Sequence, residues 1–311
     1  MAITTIKSIN IEPTLLSKIN NSISDAPSDG KTYGRKNAAW SEAAGSSYVD
    51  TLSVTVGSGG DYADLSDLVS AMATIHGRVL QVEVLSSLTM PISGEVFFPF
   101  DKVYLDAGVS GQSLPAGRYE ARGTLHGRYG GGDFRYSPNV VLVRFGGKIG
   151  FSDTFKTSSA GTIKLIDPVS CNITISSEGG VKADIVIEGG SIDSVTNGYN
   201  SGDVTLYNTL VTNSAAAAGR IFIKGCTSLY KASFYGTLDD NLVVCTGSAY
   251  VGEINLNGRT GSLGASTGLL KGRGFLHVDK ITDTTGRYTT LLADSRTANT
   301  PDKYGLVTVN I

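Results

Sequence analysis

Six acidic side chains fall within one run of β-like sequence: Glu188, Asp193, Asp203, Asp239, Asp240 and Glu253. Two carboxyl groups about 5–9 Å apart, one with a raised pKa, are what hydrolysis of a glycosidic bond requires. Asp and Glu also favour turns and exposed strand faces for structural reasons alone. No motif distinguishes one pair, so no catalytic residue is assigned and polysaccharide cleavage stays open. Elimination would need a base such as Lys, His or Tyr beside an Arg or a metal, and His277 and Tyr207 are the nominees. His76, His126 and His277 are scattered without ligand spacing, so neither a metal nor a cofactor is expected. Cys171, Cys226 and Cys245 are an odd number at wide spacing, each inside or beside an apolar strand pattern. They read as reduced, buried small residues.

Aromatic residues offer a second kind of chemistry. Tyr207, Tyr230 and Tyr235 fall on adjacent strand patterns and, if exposed, could stack on sugar rings; packing in a core is the competing reading. Residues 111–139, rich in Gly, Arg and Tyr, lack strand period. Arg118, Arg122, Arg128 and Arg135 with Tyr119, Tyr129 and Tyr136 could stack on sugars or pair with acidic glycans, but a solvated surface loop is the plainer expectation.

These side chains must be held by strands. Of 311 residues only 17% are charged, 39 are Gly, and the net charge is −2. That balance gives no reason to expect nucleic acid or an anionic membrane as partner. No apolar run approaches the roughly 20 residues of a membrane span, and the amino terminus has no charged-then-apolar signal. From residue 140 onward short runs such as TIKLID, DIVIEGG, DVTLYN and RIFIKG alternate large apolar with polar residues and close on Gly, Asn, Asp or Ser. Ile187, Leu206 and Ile223 recur 19 and 17 residues apart. A period near 20 is that of a β-solenoid, whose neighbouring coils lie about 5 Å apart and so could bring stacked acids together. An antiparallel sandwich is the alternative.

Ahead of the ladder, Leu52, Val54 and Val56 alternate as a strand, and Leu65, Leu68, Val69, Met72 and Ile75 make a helical stripe. Asp61 is the expected N-cap with Asp64 at N3, and Gly77 the expected stop before the strand RVLQVEVL. A Rossmann-type start is the rival, but no later helix of similar strength alternates with the strands, and GSGGDY is not a dinucleotide fingerprint. Near the amino terminus, Pro13 opens a short helix in which Leu16, Ile19 and Ile23 form a narrow seam. So short a helix needs copies of itself, another protein, or its own domain to dock on. DAPSDGKTYGRKNAAWSE, residues 25–42, reads as a turn followed by two very short strands around Asn37–Ala38, bearing Tyr33 and Trp40. One such hairpin cannot bury a tyrosine and a tryptophan, whereas several around an axis could.

Two resemblances enter on these residues. APSDGKTYGRKNAAW resembles the short linker module of tailed-bacteriophage tail fibres and tail proteins, departing from it at Ala38, where the family usually has Gly. The resemblance implies a homotrimer, with Leu16, Ile19, Ile23, Tyr33 and Trp40 as trimer contacts. The strand, GSGGDYADL turn, single helix and following strands resemble the start of pectin-lyase-like right-handed parallel β-helices, in which the helix caps the solenoid. The expected chain is therefore all-β: a right-handed parallel β-helix with one N-terminal capping helix, preceded by a short trimerising helix and linker. Expected boundaries are 1–24 for virion attachment and the coiled-coil helix, 25–50 for the linker module, 51–280 for the β-helix and 281–311 for a C-terminal cap. The implied function is a homotrimeric virion tail fibre or tailspike, assembled in the host cytoplasm. Its amino terminus would meet other tail or baseplate proteins, and its shaft would contact bacterial surface polysaccharide. A depolymerase cleaving capsule or O-antigen and a purely structural collar or tail fibre are the alternatives. A free bacterial enzyme is disfavoured by the linker module.

Overall fold

The computed structural model describes residues 33–36, 39–42, 47–108, 112–128, 135–136, 139–148, 154–157, 161–177, 183–197, 202–235, 242–263, 268–293, 297–302 and 305–310. The chain divides into two units, Met1–Ser47 and Tyr48–Ile311. In the first, β1 (Tyr33–Lys36) and β2 (Ala39–Glu42) pair antiparallel, with Arg35 opposite Trp40 and Lys36 opposite Ala39. These are the two very short strands that the sequence suggests, and residues 37–38 between them lie outside the described residues. Leu16, Ile19 and Ile23, and the side chains of Tyr33 and Trp40, lie outside the described residues.

The second unit takes up β3 (Ser47–Val56) from its second residue and continues with the helix α1 (Leu65–Met72), β4 (Ile75–Val84), β5 (Glu95–Phe98) and β6 (Phe100–Ala107). It continues through β7 (Ser113–Leu114), β8 (Gly117–Arg128), β9 (Arg135–Tyr136), β10 (Val140–Lys148), β11 (Thr154–Thr157) and β12 (Gly161–Ile166). Then come β13 (Val169–Ser177), β14 (Ala183–Glu188), β15 (Ser191–Asn197), β16 (Val204–Tyr207) and β17 (Leu210–Ala217). The last strands are β18 (Ile221–Phe234), β19 (Val243–Asn255), β20 (Gly268–Thr282), β21 (Thr290–Leu292) and β22 (Gly305–Val309).

The expectation of an open right-handed parallel β-helix is corrected by the pairing. Two parallel branches run between the same two strands. One passes β10–β12–β14–β16–β18, and the other β10–β13–β15–β17–β18. They close a ring of eight parallel strands, a closed parallel barrel in its connectivity rather than an open helix. Parallel pairing continues beyond the ring through β8, β6 and β4 on one side, and β19, β20 and β22 on the other. The physical reason is that β10 and β18 turn a corner without breaking, at Arg144 (φ 50°) and Gly225 (φ 62°), so each serves both branches. Alternation in a sequence reports that a strand has one buried face. It does not report whether the strand ends at a corner or bends through it.

The interior is a set of aligned columns. Leu142, Leu165, Ile187, Leu206, Ile223 and Cys245 occupy successive registers and are all buried. On the facing branch Ile173, Val195, Ala215, Ala232 and Ile254 do the same. One corner is a column of its own: Asp167, Gly189, Asn208 and Gly225 all have φ between 48° and 73°. Backbone bonds link them in steps, Asp167 N to Glu188 O, Gly189 N to Tyr207 O and Asn208 N to Lys224 O. The column continues as Gly247, Gly274 and Gly305 in register. There a Cβ on Gly274 would stand 2.2 Å from Gly247 O, and one on Gly305 1.9 Å from Gly274 O. Only glycine fits so close a backbone approach.

Two local expectations also change. Asp64, not Asp61, caps α1, accepting from Ser66 N at 2.8 Å and Asp67 N at 3.1 Å. The helix stops at Met72, and Gly77 lies inside β4, where a Cβ would stand 2.0 Å from Val49 O. Within residues 111–139, Gly117–Arg128 is a core strand and not a surface loop: Tyr119 is fully buried, donating its hydroxyl to Pro115 O at 2.9 Å. Arg118 and Arg144 converge on Glu120, at 2.8 and 2.9 Å.

Truncating Leu206 to Ala is expected to cost about 2–5 kcal/mol. Gly274→Ala adds to about 1–3 kcal/mol of backbone strain the displacement of Gly247. Thermal unfolding of the two variants checks both: each should melt clearly below the parent.

Candidate functional site

The outward faces of β18, β19, β20 and β22 form a grid, because residues two apart on a strand share a face and parallel partners stand side by side. Its rows are Cys226 and Ser228, Ser248 and Tyr250, Phe275 and His277, Leu306 and Thr308. These residues line a groove of about 530 Å³. Phe275 is 63% exposed and Tyr250 43%. Large apolar groups this open on a strand face meet water at a cost that a ligand would remove.

A hydrogen-bonded set fixes the groove's centre. His277 Nε2 lies 2.8 Å from Asp279 Oδ1, and its Nδ1 2.5 Å from Thr308 Oγ1. An ionised carboxylate only accepts, so in neutral His277 Nε2 carries the proton and Nδ1 accepts from Thr308. Tyr250 donates its hydroxyl to the other oxygen, Asp279 Oδ2. The Tyr250 ring stacks on the His277 ring, centroids 5.7 Å apart and planes 16° apart. The Tyr250 bond, and after it the His277 bond, hold Asp279 below the usual carboxylate range. The same bond to Asp279 is the largest cause pushing the Tyr250 hydroxyl up. The set can present a fixed carboxylate and a phenol to a polar ligand beside two flat apolar faces.

Tyr207, Tyr230 and Tyr235 are not brought together. All three are exposed, at 44%, 63% and 40%. Tyr230 shares the outward face of β18 with Cys226 and Ser228 and neighbours Tyr250 closely enough to influence its ionisation. Tyr207 pairs with Lys224, on the other side of the Gly225 corner. Tyr235 follows β18, where a Cβ on Gly258 would meet its ring. Tyr250, Phe275 and Asp279 were missed. Their signal is an aromatic on the polar phase of SAYVGE and GFLHVDK, which the core reading of strand aromatics obscures.

Each candidate carboxylate among the described residues has its own partner, a cation for Glu188, Asp203 and Glu253 and a hydroxyl for Asp193. Glu188 pairs with Lys164 at 2.8 Å and Asp203 with Arg220 at 3.0 Å, while Asp193 accepts from Thr212 at 3.1 Å. Glu253 accepts from Thr282 at 2.7 Å and pairs with Lys231 at 3.4 Å. Thr282 first, then Lys231, push its pKa below the usual value, the opposite of what a general acid needs. Asp239 and Asp240 lie outside the described residues. His76 packs edge-on to Tyr48 and His126 stacks on Tyr104. Among the described residues no cluster of three His, Cys, Asp or Glu could hold a metal. Cys171 and Cys245 are buried as expected, their thiols pushed up to about 12 and about 11 chiefly by desolvation. Cys226 is exposed on the groove, a correction that follows from the Gly225 corner just before it.

Because the folded-state pKa of Asp279 is lowered, its contribution to stability is present above the ordinary value of 3.8 and is lost as pH falls through the lowered one. Tyr250→Phe removes the leading cause, so the Asp279 titration followed by carboxyl NMR should move up toward that ordinary value, with Asp279→Asn moving the Tyr250 titration down. Comparison with family models, with curated proteins and with solved structures finds no match to this chain.

Proposed function

We propose that this chain is the glycan-contacting fibre of a tailed-bacteriophage particle, a homotrimer that meets other tail proteins through its amino terminus and bacterial surface polysaccharide through the groove. The observation that carries the glycan reading is the exposed diagonal of Tyr230, Tyr250 and Phe275 across the neighbouring strands β18, β19 and β20, with Asp279 fixed beside it. Flat aromatic faces suit the apolar faces of sugar rings, and a carboxylate accepts from sugar hydroxyls. The trimer and the particle rest on the likeness of residues 26–40 to the tail-fibre linker module. Three grooves on one fibre would give avidity from weak single contacts.

A second reading, cleavage of that polysaccharide, is favoured by one feature: His277 and Tyr250, both proton-carrying groups, are oriented by Asp279 in an open groove.

Binding of the full chain to extracted capsule or O-antigen should fall about fivefold in each of Phe275→Ala and Tyr250→Ala, since each stacked ring contributes on the order of 1 kcal/mol. Retained affinity in both variants would remove the groove from the reading. New reducing ends or an unsaturated-uronate absorbance, lost in His277→Ala, would decide for cleavage. Light scattering of the full chain and of a chain lacking residues 1–45 tests the trimer: the expected threefold mass should drop on truncation.

A further inference from the structure

The row of side chains that crosses the groove does not stop at its edge. Ser228, Tyr250 and His277 stand side by side on β18, β19 and β20. In the other direction Leu210 on β17 pairs with Ser228, Ser191 on β15 with Leu210, and Val169 on β13 with Ser191. Leu210 is 46% exposed and Val169 47%, and Ser191, Ser228 and His277 are half-buried, so the row faces outward along its length.

Its side chains alternate in kind. Val169, Leu210 and Tyr250 are apolar or aromatic and open to water, while Ser191, Ser228 and His277 carry hydrogen-bonding groups. Neighbouring strands lie about 4.8 Å apart, so an open apolar group recurs at roughly 10 Å and the row from Val169 to His277 is roughly 24 Å long. A single exposed apolar residue needs no explanation, but three at an even interval, continuous with an aromatic groove, mark a contact surface.

A linear polysaccharide has that spacing. A pyranose ring in an extended chain advances by about one strand step, and where successive rings are turned over, the same ring face returns at every second step. Laid across the strands, such a chain sets apolar ring faces against Val169, Leu210 and Tyr250 and hydroxyl groups against Ser191, Ser228 and His277. The six residues include no Lys, Arg, Asp or Glu. Two positions further along the same face, past the buried Ile192 and Val278, Asp193 and Asp279 present carboxylates that would repel an acidic chain.

Resting on the glycan reading of the groove, we infer that its ligand is an uncharged linear polysaccharide lying across the strands, one ring to a strand, with Leu210 and Val169 as successive outer subsites.

The test is calorimetric titration of the full chain with fragments of extracted capsule or O-antigen graded by length, with thermal melting reporting the fold. Fragments short enough to fill the groove alone should bind the parent, Leu210→Ser and Val169→Ser equally. Longer fragments should bind the parent more tightly and lose about fivefold in Leu210→Ser, and only the longest should lose about as much in Val169→Ser. Leu210→Met keeps an apolar side chain and should bind long fragments as the parent does. Tyr250→Ala should weaken every length, and added salt should change none of these affinities. Affinity that stops growing beyond the short fragments, or grows with length in disregard of Leu210 and Val169, overturns the inference and leaves the groove standing. Salt-sensitive binding overturns the uncharged ligand. Failure of every length to bind removes the groove reading and this inference with it.

Discussion

Backbone approach at one corner governs this molecule. Asp167, Gly189, Asn208 and Gly225 share a left-handed conformation at successive levels, and Gly247, Gly274 and Gly305 continue the line. Each level's N–H meets the carbonyl of the next, so the corner sets the vertical step of every strand that leaves it. With that step set, the aliphatic columns must align, since residues at equal distance from the corner fall in register. Asp203 shows the same economy: its carboxylate accepts from Arg220 N at 2.7 Å, and its own N–H donates to Asp184 Oδ1 at 2.9 Å. Strain at the corner is repaid by burial along the columns.

The outward grid follows from the same alignment. Phe275 and Tyr250 are neighbours only because Gly225, Gly247 and Gly274 hold β18, β19 and β20 in step. Past that corner the outward residues of four strands form a regular lattice, on which ring faces, a phenol and a carboxylate occupy fixed points. A surface built this way is preorganised by backbone, so its side chains lose little freedom when a ligand arrives.

Much of this was legible because it is periodic. Ile187, Leu206 and Ile223 were placed in equivalent positions from their spacing alone and are cross-strand partners. The antiparallel pair β1–β2 was legible because a short hairpin has local chemistry. Closure of the ring was not, since Arg144 carries no mark of a left-handed corner and Gly225 reads as any turn glycine. The strand Gly117–Arg128 was hidden because Gly and Arg dilute its alternation around Tyr119. Asp61 and Asp64 both suit an N-cap, and only the tertiary partner Thr55 separates their roles. The groove was half legible: His277 and Tyr230 stood out by type, Tyr250 and Phe275 did not.

The three thiols differ in a way that has practical weight. Cys171 and Cys245 are sealed in the interior with thiols held protonated, while Cys226 stands exposed at the rim of the aromatic groove. A maleimide dye would therefore react at a single position of the unaltered chain. That position adjoins Ser248 and Phe275, so the protein carries its own attachment point for a fluorophore whose emission would report what settles in the groove.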